Sequence, residues 1–140
     1  MRYFDTSVVA AFYLPEPMSA KVQKLFSRGG GIAISGLTEV EFVSALSRRV
    51  RTRDIAKDDS LKVLARFRRH VEDGLYRMIA VEQRDYVLAR DWLATFDTSL
   101  RTLDALHMAV AFSNDLAVVT ADKAFGESAQ RLGVKHKLIA

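Results

Sequence analysis

The feature that most constrains the fold is a regular alternation of short apolar runs with longer segments of helical periodicity. The runs contain three to six residues and are rich in the β-branched and aromatic residues that favour strands. We predict strands at Arg2–Phe4, Ile32–Ser35, Tyr76–Val81, Ala117–Thr120 and His136–Ile139. Strands that alternate with helices form a mostly parallel sheet with helices on both faces. The sequence therefore predicts an α/β protein, a three-layer α/β/α sandwich around a central five-stranded sheet.

Helices are predicted in the segments between these strands. In one of them, Leu61, Leu64, Phe67 and Val71 recur at helical spacing and define an apolar face. The predicted helices are Thr6–Leu14, Ser19–Phe26, Thr38–Val50, Asp58–Val71, Glu82–Leu93, Thr102–Phe112 and Asp122–Leu132. The chain of 140 residues has the length of one domain and shows no linker or repeat, so we expect a single domain over residues 1–140.

Composition excludes several classes of site. The chain has no cysteine, which excludes disulfides, thiolate metal sites and a cysteine nucleophile, and its three histidines are too scattered to indicate zinc. No apolar run approaches the ~20 residues that span a bilayer, and the N-terminal segment is interrupted by Asp5, so we expect no membrane association and a cytoplasmic protein. Dinucleotide-binding and P-loop glycine motifs and a serine-hydrolase elbow are also missing.

Positive charge is concentrated in the middle of the chain. The formal net charge is +4, and residues 28–84 hold twelve Lys or Arg against eight Asp or Glu, whereas the remainder holds nine of each. Such a basic region suits a polyanionic substrate. A solvated basic surface explains the same distribution, and composition alone does not separate the two interpretations.

Acidic residues follow the predicted strands. Asp5 comes directly after the first strand, and Asp122 follows the fourth after one intervening residue. Glu41 lies in the first turn of the helix after the second strand, and Asp104 lies near the start of a later helix. Ligands of open α/β sheets bind outside the carboxyl ends of the strands, at the point where the strand order reverses. We therefore expect these four carboxylates to converge on one crevice.

A cluster of carboxylates without histidine or cysteine favours a hard divalent cation such as Mg²⁺ or Mn²⁺. Such an ion lowers the pKa of a bound water and stabilises charge on an attacked phosphate. Each acid also has a structural interpretation. Asp5 and Asp122 are suited to cap helices, Asp104 to interact with a helix dipole, and Glu41 to complete a capping box with Thr38. Four separate segments that point to one edge favour the metal site.

The same residues resemble the motifs of the PIN-domain family, and in particular the ribonucleases of the VapC toxin type. The segment YFDTSVVAAFYLPEP is similar to the first motif, with Asp5 as its acid. The segment ISGLTEVEFVSAL is similar to the second, which places the family's glutamate at Glu41 and makes Glu39 the weaker candidate. LRTLDALHMAVA and VVTADKAF resemble the third and fourth, with Asp104 and Asp122. The resemblance covers nearly the whole chain in the expected order.

This resemblance implies a flavodoxin-like PIN fold and a ribonuclease that depends on Mg²⁺ or Mn²⁺ and cleaves RNA phosphodiester bonds. It also implies the toxin of a type II toxin–antitoxin pair, a homodimer, and a cognate VapB-like antitoxin that blocks the site and carries the operator-DNA contacts. Asp5, Asp104 and Asp122 are the expected metal ligands, and Glu41 binds the metal directly or through water. Two alternatives stay open: an RNA-processing PIN nuclease outside such a pair, and a catalytically silent RNA- or protein-binding module.

Further residues near the acids have weaker signals. Thr6, Ser7 and Thr120 are candidates to hydrogen-bond a ligating carboxylate or water, or else to cap helices and strand ends. Arg48 shares a helical face with Glu41, and Arg101 lies close to Asp104, so these two are the candidate RNA contacts. His107 lies one turn after Asp104, and we expect it to pack in the interior.

Overall fold

The computed structural model describes all 140 residues and contains five strands and seven helices in the predicted order. The strands are β1 (Arg2–Phe4), β2 (Ile32–Ser35), β3 (Tyr76–Ile79), β4 (Val118–Thr120) and β5 (His136–Leu138). The helices are α1 (Thr6–Tyr13), α2 (Ser19–Ser27), α3 (Gly36–Arg51), α4 (Lys57–Glu72), α5 (Gln83–Leu93), α6 (Thr102–Ser113) and α7 (Lys123–Arg131). No boundary differs from its predicted position by more than two residues.

The strands form one sheet in the order β3-β2-β1-β4-β5, and every pairing is parallel. The chain builds outward from β1 through β2 to β3, and then returns to add β4 and β5 on the other side of β1. The strand order therefore reverses between β1 and β4. In an open α/β sheet this reversal opens a crevice at the carboxyl ends of the two strands. Asp5 and Asp122 follow these two strand ends.

Helices cover both faces of the sheet, as predicted for three layers. Because successive strand residues point to opposite faces, Phe4 packs with the core beneath α1 to α4, and Tyr3 packs with the core beneath α6 and α7. Val119 and Val118 of β4 divide between the two cores in the same way. Helix α5 packs against α6. No helix of the chain is long and apolar enough to cross a bilayer.

The start of α3 differs from the prediction. The helix begins at Gly36, directly after β2, and its capping box joins Ser35 to Thr38. The expected box between Thr38 and Glu41 is therefore wrong, because the strand end makes Ser35 the first capping residue. As a result the Glu41 carboxylate does not serve the helix terminus and contacts other side chains.

An aromatic cluster anchors α1, α3 and α4 to the edge of the sheet. The ring centroids of Phe42 and Phe67 are 4.9 Å apart, and Tyr13 lies 5.4 Å from each of them. The hydroxyl of Tyr13 lies 2.6 Å from the Tyr76 hydroxyl and 2.7 Å from Nδ1 of His70. Burial raises the pKa of Tyr13 to about 12, and burial together with the neighbouring Tyr13 raises the pKa of Tyr76.

The raised pKa of Tyr13 predicts a loss of stability in alkaline solution. The pKa of Tyr13 is about 12 in the folded chain and an ordinary 10.0 in the unfolded chain. The protonated hydroxyl therefore contributes to the free energy of unfolding fully below pH 10, and this contribution is lost as the pH rises through 12. The native chain should lose about 1 kcal/mol of unfolding free energy from this group between pH 9 and pH 11. Urea unfolding of native and Tyr13→Phe protein at the two pH values measures the difference. An equal decline in both proteins would contradict the prediction.

Candidate active site at the carboxyl edge of the sheet

Asp5 joins the ends of β1 and β4 through its buried carboxylate. Its Oδ2 accepts a hydrogen bond of 2.6 Å from the Thr120 hydroxyl, and its Oδ1 accepts one of 2.5 Å from the Ser7 hydroxyl. These two hydroxyls in turn accept hydrogen bonds of 3.0 Å from the backbone amides of Asp122 and Ala121, respectively. The predicted residues Asp5, Ser7 and Thr120 are thus brought together, and the network fixes where the Asp122 segment leaves β4.

The Asp5 carboxylate is also the N-cap of α1, where it accepts a hydrogen bond from the Val8 amide. Asp5 can therefore cap α1 and also belong to the acidic cluster. Burial raises the pKa of Asp5, although the hydrogen bonds from Ser7 and Thr120 oppose that shift. Asp5 is consequently held in one orientation in an environment that disfavours its isolated negative charge.

Glu41 lies beside α1 and α6. Its Oε1 accepts a hydrogen bond of 2.8 Å from the Thr6 hydroxyl and is also bonded to Nε2 of His107. Burial alone would raise the pKa of Glu41, but the hydrogen bonds from His107 and Thr6 and the charges of His107 and Arg101 together lower it. The structure therefore favours a charged carboxylate at this position.

A chain of hydrogen bonds leads from Glu41 into the core. Nδ1 of His107 lies 2.6 Å from the Tyr3 hydroxyl, which lies 2.8 Å from the Ser35 hydroxyl. Nε2–H of the imidazole donates to the Glu41 carboxylate, and the Tyr3 hydroxyl bridges Nδ1 of His107 and the Ser35 hydroxyl. His107 is only 2 % exposed, as expected for a packed residue, but it also restrains Glu41. Sequence reasoning missed Tyr3 and the hydrogen bonds of His107, because nothing in the spacing pairs residues 104 positions apart.

Removal of His107 should therefore destabilise the fold. A His107→Leu substitution keeps an apolar volume but removes one hydrogen-bond partner each from the Tyr3 hydroxyl and Glu41, and we expect a loss of about 1–3 kcal/mol. His107→Gln retains polar atoms and should lose less. Denaturant unfolding of the two variants, with Tyr3→Phe combined in a double-mutant cycle, measures the coupling. A coupling energy of zero between Tyr3 and His107 would contradict the hydrogen-bond assignment.

Asp104 lies in the first turn of α6, with its side chain 25 % exposed. Its carboxylate accepts no hydrogen bond, and its nearest cation is Nε of Arg101 at 3.8 Å, on a side chain that is 84 % exposed. Burial raises the pKa of Asp104; the charge of Arg101 opposes this, and the negative charges of Asp122 and Glu41 add to it. The charges of Asp122 and Glu41 therefore act on Asp104.

Asp122 is the N-cap of α7. Its Oδ1 accepts hydrogen bonds from the amides of Ala124 at 2.9 Å and Phe125 at 3.2 Å. Its Oδ2 accepts none, so one oxygen of this carboxylate stays available at the carboxyl edge. The capping interpretation of Asp122 is therefore correct as well, and it orients the residue.

The two candidate arginines differ in their placement. Arg101 lies beside Asp104, as expected from the sequence. Arg48 is exposed in the last turn of α3, about 10 Å along the helix axis from Glu41, and forms no ion pair. The structure thus brings Arg101 to the acids and leaves Arg48 remote from them.

The donor set suits a hard divalent cation in its chemistry, since it consists of carboxylate and hydroxyl oxygens. A cation would also relieve the repulsion that raises the pKa of Asp104. In this structure, however, no three acidic or histidine side chains are arranged to hold one ion as they stand. The hydrogen bonds of Asp5 and Glu41 explain part of this, because they direct these carboxylates toward protein donors.

Comparison with known proteins identifies the family. The family model of the PIN domain matches residues 2–130, so the chain belongs to the PIN-domain family. No curated protein matches the chain.

Solved structures share the fold. VapC20 of Mycobacterium tuberculosis, described as a toxin that cleaves the sarcin-ricin loop, has 17% identity and a TM-score of 0.73, with 91% of this chain and 95% of that chain covered. VapBC2 of Rickettsia felis, bound to a DNA fragment from its promoter, has 17% identity, a TM-score of 0.71 and complete coverage of both chains at 100%. FitAcB of Neisseria gonorrhoeae has 18% identity, a TM-score of 0.69 and coverage of 97% and 96%.

Proposed function

We propose that residues 1–140 act as one PIN domain, a divalent-metal-dependent endoribonuclease that hydrolyses RNA phosphodiester bonds. One observation carries the proposal: Asp5 and Asp122 follow the two strands between which the strand order reverses, β1 and β4, and the charges of Asp122 and Glu41 act on Asp104. A PIN-family match over residues 2–130 supports the same function.

In this proposal Asp5, Asp104 and Asp122 hold Mg²⁺ or Mn²⁺, and Glu41 binds it directly or through water. The bound metal would supply a water of lowered pKa and stabilise charge on the attacked phosphate. Ser7 and Thr120 keep the Asp5 carboxylate in place, and Thr6 and His107 do so for Glu41. Three of these carboxylates can bind one ion only if some of their side chains rotate away from the hydrogen-bond donors that they now contact.

We further propose that the chain is the toxin of a type II toxin–antitoxin pair and acts in the cytoplasm. The similar structures include a toxin that cleaves the sarcin-ricin loop and VapBC and FitAB complexes, some of them bound to DNA. By analogy, this chain would form a homodimer, bind a VapB-like antitoxin, and reach operator DNA only through that partner. The alternatives are an RNA-processing PIN nuclease without an antitoxin and a silent RNA- or protein-binding module. A small adjacent gene with a DNA-binding segment would favour the toxin.

The decisive experiment is the cleavage of a labelled cellular RNA pool by the purified protein. We expect cleavage with Mg²⁺ or Mn²⁺, none with EDTA, and none with Asp5→Asn or Asp104→Asn. A folded protein that cleaves nothing under any of these conditions would reject the nuclease and favour the binding module. Cleavage that persists in both variants would reject the site.

A further inference from the structure

A basic cleft lies between α2 and β5, apart from the acidic cluster. It has a volume of about 300 Å³, and half of its eight lining residues are cationic: Lys21, Lys24, Arg28 and Lys137. The other lining residues are apolar, and none is acidic. We refer to this feature as the α2–β5 cleft. It was not predicted from the sequence, in which its two sides are more than 100 residues apart.

The local structure explains why these cations face one another. Lys21, Lys24 and Arg28 are spaced by three and four residues, so they follow one face along α2. On β5, Lys137 points to the same side of the sheet as Ile139, because strand side chains alternate. Ile139 is buried in the core beneath α2, which also contains Leu25. Lys137 therefore emerges at the open rim of that core, opposite the cationic face of α2.

The positive charge of the cleft is not neutralised by acidic side chains. None of its four cations forms an ion pair with an acidic residue, whereas Lys135, two residues before Lys137, pairs with Asp115 at 3.2 Å. Lys21 donates a hydrogen bond to an oxygen of Ala140, whereas the side chains of Lys24, Arg28 and Lys137 have no hydrogen-bond or ion-pair partner. Like charges that converge in a concave site repel one another and attract a polyanion.

The pairing of β5 with β4 connects the cleft to the acidic cluster. Leu138, which lines the cleft, is the parallel neighbour of Thr120. Thr120 donates its hydroxyl to Asp5. Neighbouring strands are about 4.8 Å apart. The carboxyl end of β5 thus adjoins the strand that contributes to the candidate active site, and a polymer in that site can continue toward the cleft.

We propose that the α2–β5 cleft binds the phosphate backbone of the RNA strand beside the cleavage site. This inference rests on the proposed ribonuclease function. Lys24, Arg28 and Lys137 contact phosphates, and the apolar floor contacts sugars or bases. Contacts to phosphates position a strand without reading its sequence. The cleft therefore raises affinity for RNA generally and does not select the cleaved sequence.

RNA binding without cleavage tests the proposal. Fluorescence anisotropy in EDTA would measure the Kd of a labelled single-stranded RNA of about 12 nucleotides. Lys24→Gln combined with Arg28→Gln should raise the Kd about tenfold and reduce the slope of log Kd against log salt by about 1.4. The matched control, Lys62→Gln with Arg68→Gln, removes the same charge from exposed positions on α4 and should leave the Kd within about twofold. Both double variants should melt as the native chain does, because surface substitutions usually change stability by less than about 0.5 kcal/mol.

Several results would contradict the proposal that the cleft binds RNA. Equal weakening by the two double variants would show only general attraction to a basic protein, and an unchanged Kd in the cleft variant would show no contact. Inorganic phosphate that displaces RNA better than chloride at equal ionic strength would indicate a single-phosphate site, and tighter binding of polyglutamate than of RNA would indicate an acidic protein partner. If the native chain binds RNA and cleaves it but the cleft variant binds equally well, only this inference fails. If the native chain neither binds nor cleaves RNA, the proposed function fails.

Discussion

Replacement of Asp104 by asparagine is expected to lower the rate of RNA cleavage by at least about a hundredfold. Asp104 accepts no hydrogen bond from the protein, so its carboxylate is the most available of the four acids for a metal ion. Asparagine has nearly the same shape but lacks the charge, and it would therefore weaken metal binding without creating a cavity. Initial rates on one labelled RNA, measured over a range of Mn²⁺ concentrations, would separate weaker metal binding from slower chemistry.

The same substitution should stabilise the protein in the absence of metal. The pKa of Asp104 is raised by burial and by Asp122 and Glu41, against the opposing charge of Arg101. A carboxyl group whose pKa is raised in the folded chain contributes most to the free energy of unfolding below its ordinary pKa, where it is protonated. That contribution is lost as the pH rises and the group ionises. At pH 7 the ionised Asp104 consequently destabilises the metal-free fold, and Asp104→Asn should melt at a higher temperature in EDTA. Loss of both activity and stability would instead indicate a structural role.

The control for both measurements is Asp58→Asn. Asp58 is an exposed acid in the first turn of α4, as Asp104 is a first-turn acid in α6. Its replacement should leave cleavage unchanged. It should lower the free energy of unfolding by about 0.5 kcal/mol, because the interaction with the helix dipole is lost. Opposite stability changes in the two variants would show that the acidic cluster, and not the helix terminus, determines the environment of Asp104.

Truncation of Phe42 to alanine should destabilise the fold by about 3–5 kcal/mol. The Phe42 side chain is fully buried, at 0 % exposure, and packs against the rings of Tyr13 and Phe67. Its loss would leave a cavity where α3 meets α1 and α4. Because Glu41 precedes Phe42 on α3, the substitution should also loosen the carboxylate and reduce cleavage in the molecules that stay folded. Denaturant unfolding measures the first effect.

Val43→Ala is the matched control on the same helix. Val43 is 41% exposed and follows Phe42 directly. Alanine has the higher helix propensity, so this variant should remain within about 0.5 kcal/mol of the native chain. If Phe42→Ala were as stable as Val43→Ala, the aromatic cluster would not be what holds α3 in place.

The sequence by itself determined the secondary structure and the layered fold, and its motifs predict the four acids of the site. Strand and helix periodicities are local, so all five strands could be placed from short windows that contain, for example, Ile32–Ser35. Asp5 and Asp122 could be assigned to the carboxyl edge because Asp5 follows β1 directly and Asp122 follows β4 after one residue, and parallel strands end at one edge. The roles of these acids in binding metal stay a prediction, founded on the family motifs.

Tertiary structure decided which side chains touch across the sheet. His107 packs as expected, but its bonds to Tyr3 and Glu41 depend on the pairing of elements far apart in sequence. Arg48 shares a helical face with Glu41, yet the rise along α3 carries it away from the acids. The α2–β5 cleft exists only because the return of the chain to β4 places β5 near α2. Periodicity specifies the direction of a side chain within its own element, whereas its neighbours are set by the order of the strands.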